Sequence, residues 1–277
     1  MKNFIKLVRF EFNRFAPIYA TLAVLTVLIQ LIGVFVTTNG YLRSVSEQKQ
    51  SGIVNDTEIV ANIGKMGMTD FVNSLWFLGP IMFCGAVLML YSVFIWYRDW
   101  LGKNTFIYRL LMLPTQRLNI LFSKVTTIFL MVIGLIALQL VLLYIENSLF
   151  QMLLPTAYFN YSNLNKMIQS SYYLMMFYPT SGLVFISRYS KGLLGLLVVS
   201  TVVLFERSYK IKGLIIGVAY ATFVQLIFSA VYFMQFYNVM LYLFASEIFL
   251  ISLVLTVVAS ALSIWISHRL LNKKVTV

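Results

Sequence analysis

Long apolar runs separated by short polar stretches dominate this chain. Helices need about 20 apolar residues to cross the ~30 Å hydrocarbon layer of a bilayer. The runs at about 16–37, 71–97, 120–145, 213–236 and 240–267 reach that length. A shorter stretch, 191–205, reads as a further span when its flanking residues are added. Backbone groups in lipid must be satisfied within the segment, which favours helices. A β-barrel would show short alternating segments instead. The expected fold class is therefore an all-α integral membrane protein of six transmembrane helices, a single transmembrane domain over 1–277.

The stretches between the runs have patterns of their own. Over 1–15, Phe4, Ile5, Leu7, Val8, Phe12 and Phe15 fall on one helical face, while Lys2, Lys6, Arg9, Asn13 and Arg14 fall on the other. That pattern predicts an amphipathic helix lying in the membrane surface, with Pro17 breaking the run before the first span; the alternative is a cytoplasmic extension of that span. Thr38 to Asp70 reads as a polar outer connection with turn signals at Asn39-Gly40 and Ser51-Gly52. Gly79-Pro80 marks a kink in the second span. Residues 98–119 form a basic loop, and 146–190 form an outer segment. Within the outer segment, Tyr172 to Ser187 reads as an interfacial or re-entrant piece interrupted at Pro179, Thr180, Ser181 and Gly182.

Composition narrows the reading. Apolar residues make up 60% of the chain and charged residues 11%, too few charges to cover a water-soluble surface. The net charge of +12 could point to nucleic acid, but the basic residues sit in short loops between spans and no nucleic-acid motif is present. Their placement is a topology signal with anionic lipid as the contact. With the N-terminus inside, 15 of the 21 Lys and Arg residues fall on the inner side and 6 on the outer, where Glu47, Asp56, Glu58 and Asp70 also lie. Both termini are expected on the cytoplasmic side.

Recognisable catalytic chemistry is missing from the sequence. There is no phosphate-binding Gly-rich loop, no H-E-x-x-H and no cluster of metal ligands. Cys84, the one cysteine, reads as a small packing residue, and His268, the one histidine, as an interface residue at the end of the last span. No catalytic, cofactor-binding or metal-binding residue is assigned. Ionisable groups at membrane depth are functional candidates by default. Two qualify as possible pathway residues: Glu146, at the outer end of the third span, and Glu247, about two turns into the sixth.

The loop after the second span carries the most information. It reads Tyr97-Arg98-Asp99-Trp100-Leu101-Gly102-Lys103-Asn104-Thr105, then Phe106-Ile107-Tyr108-Arg109-Leu110-Leu111-Met112-Leu113-Pro114, and re-enters the membrane through Arg117 and Ser123-Lys124. This is a charged turn, then a short helix stopped by Pro114, then a basic entry. Phe106, Leu110 and Leu113 share one face of that helix, and Lys103 and Arg109 are free to project toward a partner. The stretch resembles the loop that joins the second and third spans in the membrane subunits of ABC-2 type ABC exporters. The N-terminal amphipathic helix, the six spans and the Lys273-Lys274 ending resemble that family in layout. The stretch from Glu146 to Lys191 departs from it, being longer and richer in aromatics than the family's usual outer connection.

The resemblance implies a permease subunit in a bacterial cell membrane, docked on a separate ABC ATPase subunit that binds ATP and Mg. The docking residues would be Lys103, Asn104, Thr105, Phe106 and Tyr108, followed by Arg109, Leu110, Leu111, Leu113 and Pro114. Glu206, Arg207 and Lys210, in the turn before the fifth span, would make a lesser contact. A second permease chain, identical or different, would complete the pathway. The cargo would be a hydrophobic or amphipathic peptide, as in the family's exporters of phenol-soluble modulins and its lantibiotic-immunity permeases. The competing expectations are an ATP-independent carrier or channel built on Glu247 and Glu146, and a membrane sensor or immunity protein that transports nothing.

Overall fold

The computed structural model describes residues 2–53, 55–100, 116–236 and 244–273. Among them the chain is helical, with no strand beyond one isolated parallel bridge between Met66 and Phe159. The helices are α1 (Lys2–Gln50), α2 (Asp56–Ile63), α3 (Met68–Phe71), α4 (Leu75–Trp100) and α5 (Leu118–Leu153). They are followed by α6 (Leu164–Ser170), α7 (Tyr172–Phe177), α8 (Gly182–Phe236) and α9 (Ala245–Lys273). Five of these, α1, α4, α5, α8 and α9, are long and apolar enough to cross a bilayer, and we read the chain as a multi-pass membrane protein. Their lipid-type surfaces carry exposed Leu, Ile, Val and Phe side chains, which water would not tolerate in such number.

The chain forms two compact units. Unit 1 comprises 1–14, 89–129 and 181–277; unit 2 comprises 15–88 and 130–180. In unit 1, α8 reverses on itself at Lys210, whose backbone (φ 55°, ψ −133°) leaves the helical region. The arms 182–209 and 211–236 then run antiparallel. A Cβ on Gly213 would stand 1.9 Å from the Phe205 carbonyl oxygen, and one on Gly217 would stand 3.1 Å from the Val202 Cα. Residues this far apart in sequence meet so closely only across a hairpin, and only glycine fits at 213. The α9 helix packs on the hairpin, with Thr201 Oγ1 bonded to Ser267 Oγ at 3.0 Å and Tyr220 Oη to Ser263 Oγ at 2.7 Å.

Unit 2 is held by a core of Val34, Phe71, Phe77, Leu143, Phe150 and Phe159 with their neighbours. Phe71 packs edge-on against both Phe77 and Phe150. Polar side chains inside the unit are paired along α1. Thr26 Oγ1 lies 3.1 Å from Cys84 Sγ, and Gln30 donates to the Phe77 carbonyl at 3.0 Å while exchanging hydrogen bonds with Gln139 at 3.3 Å. Cys84 is a buried packing residue, as its sequence context implies. The connections form a small folded cap. Asp56 pairs with Lys49 at 3.2 Å and accepts from the Tyr158 hydroxyl, and Asn73 Nδ2 donates to the Ser170 carbonyl at 3.1 Å.

Several elements differ from the sequence expectation. Among the described residues 2–15 no separate interfacial helix forms, because α1 continues through Pro17 to Gln50. A proline costs one backbone hydrogen bond, which membrane helices tolerate when their neighbours pack well. The apolar face of this first segment is turned inward, with Phe15 and Glu11 buried, while Ile5 is exposed. Asn39-Gly40 also stays helical, and the chain turns at Ser51-Gly52, where Gly52 takes a φ of 99°. At about 1.5 Å per residue, the 49 residues of α1 span about 73 Å, far more than a hydrocarbon layer.

The third span likewise runs past 145 to Leu153. The 172–187 segment is divided by the Pro179 break: 172–177 form α7, while 182–187 open α8, so the fourth span starts at Gly182 rather than 191. The last span is seen from Ala245, and 240–243 and Lys274 lie outside the described residues.

Candidate functional site

The first turns of α1, the end of α4 and the start of α5 meet in unit 1 around a buried lysine. Lys124 stands about two turns into α5 and is fully buried. Its ammonium donates to Glu11 Oε1 at 2.8 Å, to the Ile95 carbonyl at 3.1 Å and to Asp99 Oδ2. Those are three acceptors for three N–H donors, so the group is saturated. Each carboxylate has a second cation: Arg98 Nη2 reaches Glu11 Oε2 at 2.7 Å, and Arg14 Nη1 reaches Asp99 Oδ1 at 2.9 Å. Glu11 and Asp99 are themselves buried. Aromatic rings flank the cations, with Trp96 5.3 Å from Lys124 Nζ and Tyr91 5.8 Å from Arg98.

Local sequence explains why these groups converge. Glu11 and Arg14 are three apart on α1, so they share a face. Ile95 and Asp99 are four apart on α4, which aligns a carbonyl and a carboxylate toward one donor. Taking such ions out of water costs several kcal/mol each, offset only where geometry and hydrogen bonding are good. Three cations against two carboxylates leave the cluster with one positive charge. It contains no free base or nucleophile, so what it does is mechanical: it ties three helix ends into one body.

A second set of contacts extends that body. The Tyr97 hydroxyl donates to Glu206, and Arg207 stacks on Tyr97 at 4.4 Å and on Trp100 at 5.5 Å. Trp96 Nε1 donates to Ser200 Oγ at 3.2 Å. Arg117 Nη1 donates to the Leu271 carbonyl at 2.6 Å, near the end of α9. Every described helix of unit 1 is thereby linked to residues that flank the segment 101–115.

The sequence-derived candidates fare unevenly. The ten docking residues, Lys103, Asn104, Thr105, Phe106, Tyr108, Arg109, Leu110, Leu111, Leu113 and Pro114, lie outside the described residues. Glu206 and Arg207 take part in the aromatic contacts just described, whereas Lys210 is the residue at which α8 reverses. Glu247 is in the first turn of α9, not two turns into a span, and its Oε2 accepts from the Phe244 N–H at 2.8 Å, an N-terminal cap. Glu146 is no solvated helix end. The helix continues beyond it and the side chain is fully buried.

Glu11 has the central place that sequence reading did not give it. Its signal was present: it is the one acid before Glu47, and it sits on the apolar stripe of an otherwise basic segment. A lone carboxylate in such a stripe calls for buried cations. Arg98, Asp99 and Lys124 were visible as parts of a motif without a stated role. The chain matches no protein-family model, no curated protein and no solved structure, so its functional reading rests on these residues and on the resemblance carried by 98–124.

Proposed function

We propose that this chain is the membrane-spanning permease subunit of an ATP-driven exporter of the ABC-2 type. One observation carries the reading: both flanks of the 101–115 segment are locked to the N-terminal helix through Glu11, Asp99 and Lys124. A docking helix can drive transport only if a push on it moves membrane helices as rigid bodies, and a saturated buried ion cluster at its two roots is a stiff linkage for that purpose.

Counting the two arms of α8 separately gives six spans, with both termini and the 101–115 segment on the cytoplasmic side of a bacterial membrane. An ABC ATPase subunit supplies ATP and Mg chemistry, and a second permease chain faces this one. The cargo is a hydrophobic or amphipathic peptide. This chain is a transporter subunit, not an enzyme.

The test is purification in mild detergent from the native host, with mass spectrometry of what remains bound. A stoichiometric ATPase chain is expected, lost when Leu110 and Leu113 are replaced by Asp. Retention of the ATPase by that variant, or an intact protein with no ATPase, would sink the reading. A second reading, an ATP-independent carrier, is favoured by the buried Glu146, whose carboxylate has no hydrogen-bond partner among the described residues. Under it, Glu146→Gln abolishes transport, while ATP depletion at a maintained ion gradient does not.

A further inference from the structure

The two arms of α8 part as they leave the Lys210 turn, and a groove opens between them. Near the turn they touch: a Cβ on Gly213 would meet the Phe205 carbonyl, and one on Gly217 would meet Val202. Farther out, Lys191, Gly195 and Val199 of the first arm and Ala221, Gln225 and Phe228 of the second line a cavity of about 560 Å³. Leu194 and Val198, both buried, line it as well. All of these residues belong to unit 1.

Gly195 marks space that its neighbours do not use. Glycine inside a helix is disfavoured relative to alanine, and in membrane helices it is usual where a neighbouring helix comes close. That account serves Gly213 and Gly217. At Gly195 a Cβ would meet nothing among the described residues within 4 Å, and the same holds at Gly192, about one turn away. The missing side chain widens the groove instead of bringing the arms together.

Position and charge select the occupant. The turn, with Arg207, Lys210 and Lys212, belongs at one face of the membrane. Val199 stands 11 residues before Lys210 and Lys191 stands 19 before it, so at 1.5 Å per residue the groove runs from about 16 Å to about 28 Å from the turn. In a hydrocarbon layer ~30 Å thick, it occupies the leaflet opposite the turn and ends at that leaflet's headgroups. Lys191 is at that end, and Arg188 stands one turn beyond it. The one acid of α8, Glu206, is near the turn and accepts from Tyr97.

The groove therefore has mainly apolar walls within a single leaflet and a cation at its mouth. A partner helix would pack along the whole layer, whereas this groove stops where the arms meet at Val202 and Gly217. Basic pockets between membrane helices suit anionic headgroups. We infer that the α8 groove binds one anionic phospholipid, with an acyl chain between the arms and the phosphate against Lys191. The site needs neither the exporter nor the carrier reading.

The experiment is native mass spectrometry of the full chain, purified in mild detergent and incubated with equal amounts of dioleoylphosphatidylglycerol and dioleoylphosphatidylcholine. The wild type should retain one phosphatidylglycerol, with a several-fold preference over phosphatidylcholine. Gly195→Leu fills the groove without a clash at Cβ, so it should lose the lipid while its Tm in lipid-free detergent is kept or raised. Lys191→Gln should lose the preference between the two lipids. Lys65→Gln, at an exposed position of unit 2, should change neither retention nor preference. If Gly195→Leu does not fold, Lys191→Gln decides alone. Equal retention of both lipids by the wild type, a preference that survives Lys191→Gln or is lost as readily through Lys65→Gln, or full retention by Gly195→Leu overturns the proposal. So does a dimer of this chain that Gly195→Leu dissolves, since a second copy would then occupy the groove.

Discussion

Unit 1 and unit 2 both bury carboxylates, but they surround them differently. Glu11 and Asp99 each face two cations, and Lys124 between them has three acceptors. Glu146 faces none among the described residues. The sequence around each group accounts for the contrast. The Lys124 cluster draws on helix ends, where basic residues are plentiful. No basic residue occurs between Lys124 and Lys166, so α5 offers Glu146 no cation along its own length. A fully paired buried cluster acts as a brace. An unpaired buried carboxylate carries a desolvation cost that no ion pair offsets.

The largest effect should come from breaking the brace. Lys124→Met leaves two buried carboxylates facing only peripheral arginines, and removal of one member of a buried ion pair costs about 3–5 kcal/mol. Unfolding in detergent by denaturant would measure it. A loss under about 1 kcal/mol would mean that water reaches the cluster and that the contrast between the units is false. The double variant Glu11→Gln/Lys124→Met should lose less than the sum of the singles, because the two groups share one network.

A steric lesion in the same unit provides the control. Gly213→Ala places a methyl 1.9 Å from the Phe205 carbonyl oxygen, so the α8 hairpin must open. Overpacking of this kind costs about 1–3 kcal/mol. It should destabilise unit 1 without changing salt dependence, whereas the loss in Lys124→Met should vary with the charge of the substitute. A neutral outcome at Gly213 would argue that α8 does not reverse at Lys210.

The unpaired carboxylate should respond with the opposite sign. In choline chloride, Glu146→Leu replaces an unsatisfied group with an apolar one of similar size. Stability should be unchanged or up to about 1 kcal/mol higher. A loss of several kcal/mol would show that Glu146 has a protein partner and would erase the distinction between the units.

Much of this architecture is legible in the sequence, for identifiable reasons. Membrane helices announce themselves by length and apolarity, and each expected span overlaps a long helix, though 71–97 is helical as α4 only from Leu75 and the last is described only from Ala245. Their ends are harder to read, because Asn39-Gly40 and Pro17, ordinarily breakers, are carried along by an uninterrupted hydrogen-bonded helix. The α8 reversal left a trace in Gly213 and Gly217, but close backbone approach is a tertiary fact that single glycines do not declare. The brace was half visible. Arg98, Asp99 and Lys124 stand out as charges at span ends, while Glu11 looked like part of a surface helix until its partners from α4 and α5 were in place. Glu146 was marked by its charge, but its burial depends on helix packing that periodicity does not contain.

The smallest effect sharpens the comparison from a third side, that of a paired charge exposed to solvent. Asp56 in the unit 2 cap accepts from the Tyr158 hydroxyl and pairs with Lys49. These two hydrogen bonds, Tyr158 first, hold its carboxyl below the ordinary carboxylate range. A lowered folded-state value means that the unfolded chain binds a proton more readily. The contribution is therefore complete above the unfolded value of about 3.9 and is lost as pH falls through the lower folded value. Solvent screening keeps it small. Melting the wild type beside Asp56→Asn should give a modest Tm difference that is flat above about pH 5 and fades toward the most acidic conditions. A difference that grew as pH fell would reverse the sign and show that the folded cap prefers the protonated acid.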